Sequence, residues 1–255
     1  MLLVAAGAAL LPRAWRGLRE LDARSIAIYA GIGLIVALHW LTFYGSIKLA
    51  NASVAATCMG VAPVFIAVLE PLVLGSRFEP RDLLVGVLAI PGVALVVGGT
   101  PAGMHLGLGI GLVSAALVAV FGALNKRHAT RGEPLTVTGL ELAAGTVFLS
   151  LAALVVPGLT GGWPALPDAR DAGLLLVLAF ACTLLPFTLS LVALRHLSAF
   201  SAQLAVSLEP VYAVVLAIVL LGEQRELGLA FYAGVAILLG AVLAHTAFRL
   251  RRPSA

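Results

Sequence analysis

The sequence predicts an all-α polytopic membrane protein made of two inverted five-helix repeats, with about nine spans here and the first one truncated. Three observations predict it. The 255 residues are 61% hydrophobic and only 11% charged, with a mean hydropathy of +1.09, where a soluble domain carries about 25% charged residues. The apolar residues fall in runs of about 20, the helix length that crosses roughly 30 Å of hydrocarbon. A proline-centred helix also recurs with its direction reversed. Closed barrels would appear as alternating segments of about 10 residues, which are absent, so helices are left to satisfy the backbone in lipid.

In order, the apolar segments cover about 1–12, 25–47, 52–74, 83–99, 106–125, 135–156, 173–194, 199–221 and 228–248, divided by polar or Pro/Gly breaks. The first, MLLVAAGAALL before Pro12, makes about 16 Å of helix, barely half a crossing. It lacks a basic leading region, and the stretch after it, RAWRGLRELDAR, reads as a basic loop with no small-residue cleavage site. The expectation is a start that falls inside a longer protein, with one helix and the head of the next removed. With residues 13–24 on the cytoplasmic side, 13 of the 16 Lys and Arg residues fall on that side, and only Lys48, Arg170 and Arg225 fall on the other. That asymmetry follows the positive-inside rule and puts the C-terminus in the cytoplasm. Cys58 and Cys182 both lie in apolar runs, so neither a disulfide frame nor a metal site is expected.

Aligning Pro63 with Pro210, an offset of 147, sets Lys48 against Arg195, Ala52 against Ala199, Ala55 against Ala202, Phe65 against Tyr212 and Gly75 against Gly222. One extra residue in the next loop then sets Gly86 against Gly234 and Gly92 against Gly240. By the loop charges the two copies cross in opposite directions, which requires an odd number of helices per half. Spans two to four match spans seven to nine, so the full plan is five helices per half. Inverted halves around a mid-membrane site are a usual plan of secondary transporters.

The stretches HWLTFYGSIKLANASVAATCMGVAPVFIAVLEP, LRHLSAFSAQLAVSLEPVYAVVLAIVLLGE and GVAILLGAVLA resemble the EamA family of the drug/metabolite transporter superfamily, and the resemblance covers nearly the whole chain. It implies a first repeat at 1–99, a second at 106–248 and a cytoplasmic tail at 249–255. It also implies a central substrate cavity and export or exchange of small metabolites, such as amino acids, at the cell inner membrane. This chain departs from the family pattern in two ways: the family's first helix is absent, and the Glu that commonly follows Leu-Gly is Glu223 in the second half but Ser76 in the first.

Ionisable groups at membrane depth are costly, about 2.5–3.5 kcal/mol at a helix centre, so each needs a reason. Glu209 lies about 16 Å into its helix, near the midplane, Glu141 about 10 Å in from the cytoplasmic end, and His39 about 21 Å along its helix. Either carboxyl could exchange a proton or bind a substrate ammonium, and either could equally be a neutral group satisfied by a neighbouring helix. Glu70 stands five residues before Gly75 and reads as shallow enough to meet interfacial water, while Glu223, Arg225 and Glu226 read as a solvated turn. Pro63 and Pro210 lack an N–H and are expected to kink their helices, freeing the carbonyls of Met59 and Val206.

Ser53, Thr57, Gly60 and Pro63 share one stripe, and Gln203, Ser207 and Pro210 share its counterpart. Such stripes suit a cavity wall or close helix packing equally well. His39, Thr42 and Ser46 form one face of the preceding helix, and Trp40, Tyr44 and Asn51 another, where an aromatic ring could close over a substrate. Tyr212, three residues after Glu209, could hold its carboxyl. The substrate or coupling candidates are therefore Glu209, Glu141, His39, Trp40, Tyr44, Gln203, Tyr212 and Thr57, with Pro63 and Pro210 as kinks.

The leading reading is a secondary transporter working by alternating access, partnered by a small-molecule substrate and the lipid bilayer, with proton coupling and a homodimer both open. No cofactor, metal or nucleic acid is expected. A membrane-embedded enzyme is the main rival, but the five histidines are scattered and no HExxH or GxSxG appears. A non-transporting scaffold would have no use for the inverted repeat.

Overall fold

The computed structural model describes residues 1–78, 80–155, 167–206 and 209–250, with side chains described for all of these but 80–83, 85–90, 203–205, 210 and 242–250. Each of the nine apolar segments is helical where described. The helices are α1 (Leu2–Ala9), α2 (Pro12–Glu20), α3 (Ala23–Leu49), α4 (Ala52–Met59), α5 (Ala62–Leu74), α6 (Pro80–Gly99) and α7 (His105–His128). They continue as α8 (Pro134–Val155), α9 (Ala169–Ala179), α10 (Leu185–Leu194), α11 (Ala199–Val206), α12 (Glu209–Leu216) and α13 (Leu229–Leu250). Five stretches, Ala23–Leu49, Ala52–Leu74, Ala102–His128, Pro134–Val155 and Ala169–Leu194, are long and apolar enough to cross a membrane. Residues 156–166, between α8 and α9, lie outside the described residues.

The basic stretch after α1 corrects one expectation, because residues 12–20 form a helix and not a loop. Pro12 takes its first position, where a missing N–H costs nothing. Its faces are segregated: Ala14 and Gly17 are buried, while Arg13, Trp15, Arg16 and Arg19 are exposed, and the Trp15 indole donates to the Ala9 carbonyl at 2.6 Å. Asp22 then caps α3 by accepting from the Ser25 amide at 3.1 Å. The Ser25 side chain and amide hold the Asp22 carboxyl below its ordinary range.

The first proline-centred span is broken in the middle. α4 stops at Met59, the Gly60 and Val61 amides fall back to the carbonyls of Thr57 and Cys58 at 3.0 Å each, and α5 restarts with Pro63 as its second residue. In the second span α11 and α12 flank residues 207–208, which lie outside the described residues. A proline cannot join the preceding turn but suits the first turn of a new helix. Both spans also end alike, at Gly75 with φ 71° and Gly222 with φ 73°, the two residues with positive φ among those described. That left-handed end favours glycine, and the sequence alignment pairs these two positions.

The chain divides into two compact units, each drawing on both halves of the sequence: Met1–Ala37 with Leu124–Leu197, and Leu38–Ala123 with Ser198–Ala255. In the first unit α8 is packed by α1, α2 and α10, and the buried apolar residues include Val4, Ala8, Ile32, Val36 and Leu142. A polar brace ties its ends: Lys126 Nζ donates to the Leu194 carbonyl at 2.8 Å, and Arg195 donates to the carbonyls of Ala129 (3.0 Å) and Gly132 (2.7 Å). A lysine on the last carbonyls of α10 is a favourable helix-end contact.

In the second unit α6 runs against α13, α5 against α6 and α11, and α4 against α12. Val54, Cys58, Ala62, Val96, Leu108, Phe231, Val235 and Leu238 belong to one buried cluster. The α6–α13 contact is close because both helices lack a side chain where they meet: a Cβ on Gly234 would stand 2.6 Å from the Gly92 carbonyl oxygen and 2.7 Å from the Val96 nitrogen. Without a hydrophobic force between helices in lipid, such approach supplies the packing energy.

Candidate functional site

In the first unit the polar feature is Glu141, fully buried on α8. The Asn125 Nδ2 on α7 donates to its Oε2 at 3.4 Å, a long bond, while its Oε1 and the buried Asn125 Oδ1 have no hydrogen-bond partner. α3 comes near enough at Gly33 that a Cβ there would overlap the Glu141 backbone. Asn125 also lines a cavity of about 10 Å³ with Tyr29, Ala129, Gly132, Pro134, Val137 and Leu191, roughly the space of one water. Tyr29 donates to the His128 carbonyl at 2.8 Å, and the buried His128 Nδ1 has no partner. Thr138, one turn before Glu141, accepts a bond from Thr188 on α10 at 3.2 Å. The unpartnered Glu141 Oε1 and Asn125 Oδ1 each call for a donor: a proton, a water or an ammonium.

The second unit holds His39, Trp40, Tyr44 and Thr57. His39 Nδ1 lies 2.7 Å from Ser114 Oγ and 3.2 Å from the Ser114 carbonyl, and Ser114 Oγ donates to the His39 carbonyl at 3.0 Å. A ring proton on Nδ1 satisfies all three contacts and leaves Nε2 as an acceptor. The ring sits between Phe43 and Phe121, with centroids 6.0 and 5.6 Å away. Trp40 and Tyr44 meet edge to face at 6.4 Å, and Tyr44 is 47% exposed. The Thr57 hydroxyl donates to the Ser53 carbonyl at 2.7 Å within its own helix, while the buried hydroxyls of Ser46 and Ser53 have no partner. Glu209, first residue of α12, is exposed, as is Tyr212. The Gln203 and Pro210 side chains lie outside the described residues.

Two carboxylates read as solvated are neither. Glu70 is only 8% exposed and accepts from the Ala199 amide at 2.9 Å and the Phe200 amide at 2.7 Å, the first two residues of α11. Glu223 is 6% exposed and accepts from the Ala52 and Ser53 amides at 3.0 and 2.8 Å, the first two residues of α4. The next amide in each helix goes to the residue before it: Val54 donates to Asn51 Oδ1 at 3.0 Å, and Ser201 to Ser198 Oγ at 3.0 Å. Asn51 Nδ2 further donates to Glu226 at 3.0 Å. Helix starts leave amides unsatisfied and favour anions, so in lipid the capping carboxylates have a structural reason to be buried. One signal was available: Asn51 and Ser198 stand at the same offset as Pro63 and Pro210, marking both helix starts. Among the described residues no group of three His, Cys, Asp or Glu side chains could hold a metal ion.

The profile of the EamA-like transporter family matches residues 1–98 and 105–246. The chain belongs to this family. Its EamA relatives include the "Uncharacterized transporter PA0485" of Pseudomonas aeruginosa, 30% identical over 220 residues, 84% of this chain and 70% of that protein. The "Probable terminal-alkyne amino-acid exporter" of Streptantibioticus cattleyicolor is 29% identical over 87% of this chain and 72% of its own. The "Threonine/homoserine exporter RhtA" of Salmonella typhimurium is 27% identical over 71% of this chain, which spans 58% of it. A protein crystal structure superposes on 98% of this chain and 86% of its own with a TM-score of 0.64 at 18% identity, a likeness of fold alone. This EamA protein is therefore a multi-pass membrane transporter related to metabolite exporters.

Proposed function

We propose that the chain exports small amino-acid-like metabolites across the cell inner membrane by alternating access, with its C-terminus in the cytoplasm, and that Glu141 is the carboxyl that handles charge as cargo passes. The observation that carries this reading is the half-partnered Glu141: fully buried, with one oxygen on a 3.4 Å amide contact and the other without a partner. Burying a polar atom without a partner costs about 1–3 kcal/mol, so its retention calls for an occupant that comes and goes. A cargo ammonium and a proton are the two candidates, and competition between them would couple export to proton entry. The relatives named as amino-acid and threonine/homoserine exporters support the cargo class. The loop charges support the orientation.

The test is uptake of labelled threonine, homoserine and a wider metabolite panel into inverted membrane vesicles carrying the chain, with and without a pH gradient. Saturable uptake of at least one amino acid is expected. Its absence across the panel overturns the reading.

A further inference from the structure

We propose that Glu70 and Glu223 are the two latches of the transport cycle, each closing one end of the helix pair 52–74 and 199–221 and each released in turn. The argument starts from what each carboxylate joins. Glu223, just past the end of the second span, holds the first two amides of α4, and α4 packs on α12 of that span. Glu70, near the end of the first span, holds the first two amides of α11, and α11 packs on α5. Each latch therefore ties the start of one half-helix to the end of its antiparallel neighbour, at opposite ends of the pair.

The first span is broken at mid-length after Met59, where the Gly60 and Val61 amides turn back to the Thr57 and Cys58 carbonyls, so α4 is a short rigid piece that can pivot without bending the rest of its span. A fixed cap needs no such break, since Asn51 and Ser198 already supply side-chain caps from within each helix. The carboxylates add bonds across the pair, charge-assisted, short and buried, which must break if either end parts. The latches are unequal. The Glu223 end has the further Asn51–Glu226 bond at 3.0 Å, so the Glu70 end, cytoplasmic in the proposed orientation, releases first.

The test uses the full chain with Cys58→Ala and Cys182→Ala. Single cysteines at Ala55→Cys, one turn behind the Glu223 latch, and at Ala202→Cys, one turn behind the Glu70 latch, are reacted with an impermeant maleimide from each side. Glu223→Gln puts an amide donor against backbone N–H groups. It is expected to raise labelling of A55C about tenfold while A202C stays level or falls, and Glu70→Gln does the reverse. Equal rises at both sites, or no change at either, overturn the proposal. Disulfide staples in the pairs E70C/A199C and E223C/A52C provide a second arm should a Gln variant fail to insert. Each staple suppresses labelling only behind its own latch until reduced, and unchanged labelling overturns the proposal. Labelling needs no cargo, so its result stands apart from the outcome of the vesicle uptake.

Discussion

Glu70 and Glu223 do the same job from positions that the repeat does not make equivalent. Each accepts the first two amides of the opposite span, Glu223 those of α4 and Glu70 those of α11, at 2.7–3.0 Å, yet Glu223 follows Gly222 directly while Glu70 lies five residues before Gly75, and Ser76 stands at the site aligned with Glu223. A seryl hydroxyl is too short to span to the neighbouring helix, and a glutamate six residues earlier reaches its first amides.

Removing either carboxylate strands two buried amides, so Glu70→Ala and Glu223→Ala each lower stability by about 1–3 kcal/mol. The two sites lie about a helix length apart, so the double variant loses the sum. Adding Ser76→Glu to Glu70→Ala restores at least half of the loss, because Gly75 and Gly222 share one backbone conformation. Thermal unfolding in detergent reads all four chains.

At the α6–α13 contact, Gly234→Ala drives a methyl into the Gly92 carbonyl and lowers stability by about 1–3 kcal/mol. Gly240→Ala meets nothing within 4 Å, so it is neutral or stabilising by up to about 1 kcal/mol. The difference in unfolding midpoint between these two variants isolates the packing contribution.

Asp22 supplies an acid-side pH dependence. Its carboxyl is held below the ordinary range by Ser25, so the cap on α3 is fully present above the unfolded carboxylate's range and is lost as pH falls through the lower folded value. Replacing Asp22 with Asn keeps a capping side chain and flattens that part of the stability profile, read as unfolding midpoint against pH.

Local chemistry made much of this fold legible. Hydrophobic length located all nine helical segments, the missing N–H of Pro63 marked the break in the first proline-centred span, and the paired Leu-Gly sites fall at the left-handed ends at Gly75 and Gly222. The α2 helix was hidden because nine residues with four charges carry little apolar signal. The burial of Glu70 and Glu223 was hidden because their partners lie more than 120 residues away, and a carboxylate near a helix end ordinarily meets water. For the candidate site, the helical face of Glu141 was readable, but not that Asn125 on α7 would meet its Oε2 or that its Oε1 would be left over among the described residues. Glu209 stood first by depth in the sequence, and its side chain is exposed.

The most direct test of the central claim is the initial rate of labelled threonine uptake into inverted vesicles, compared across pH for the unaltered chain, Glu141→Gln and Glu209→Gln. Glutamine keeps the shape of the Glu141 side chain and removes its ability to take a proton or pair with an ammonium. The account predicts a fall of at least about tenfold and a flat pH profile for Glu141→Gln, with transport retained in Glu209→Gln. Uptake by Glu141→Gln at the unaltered rate at every pH would contradict it.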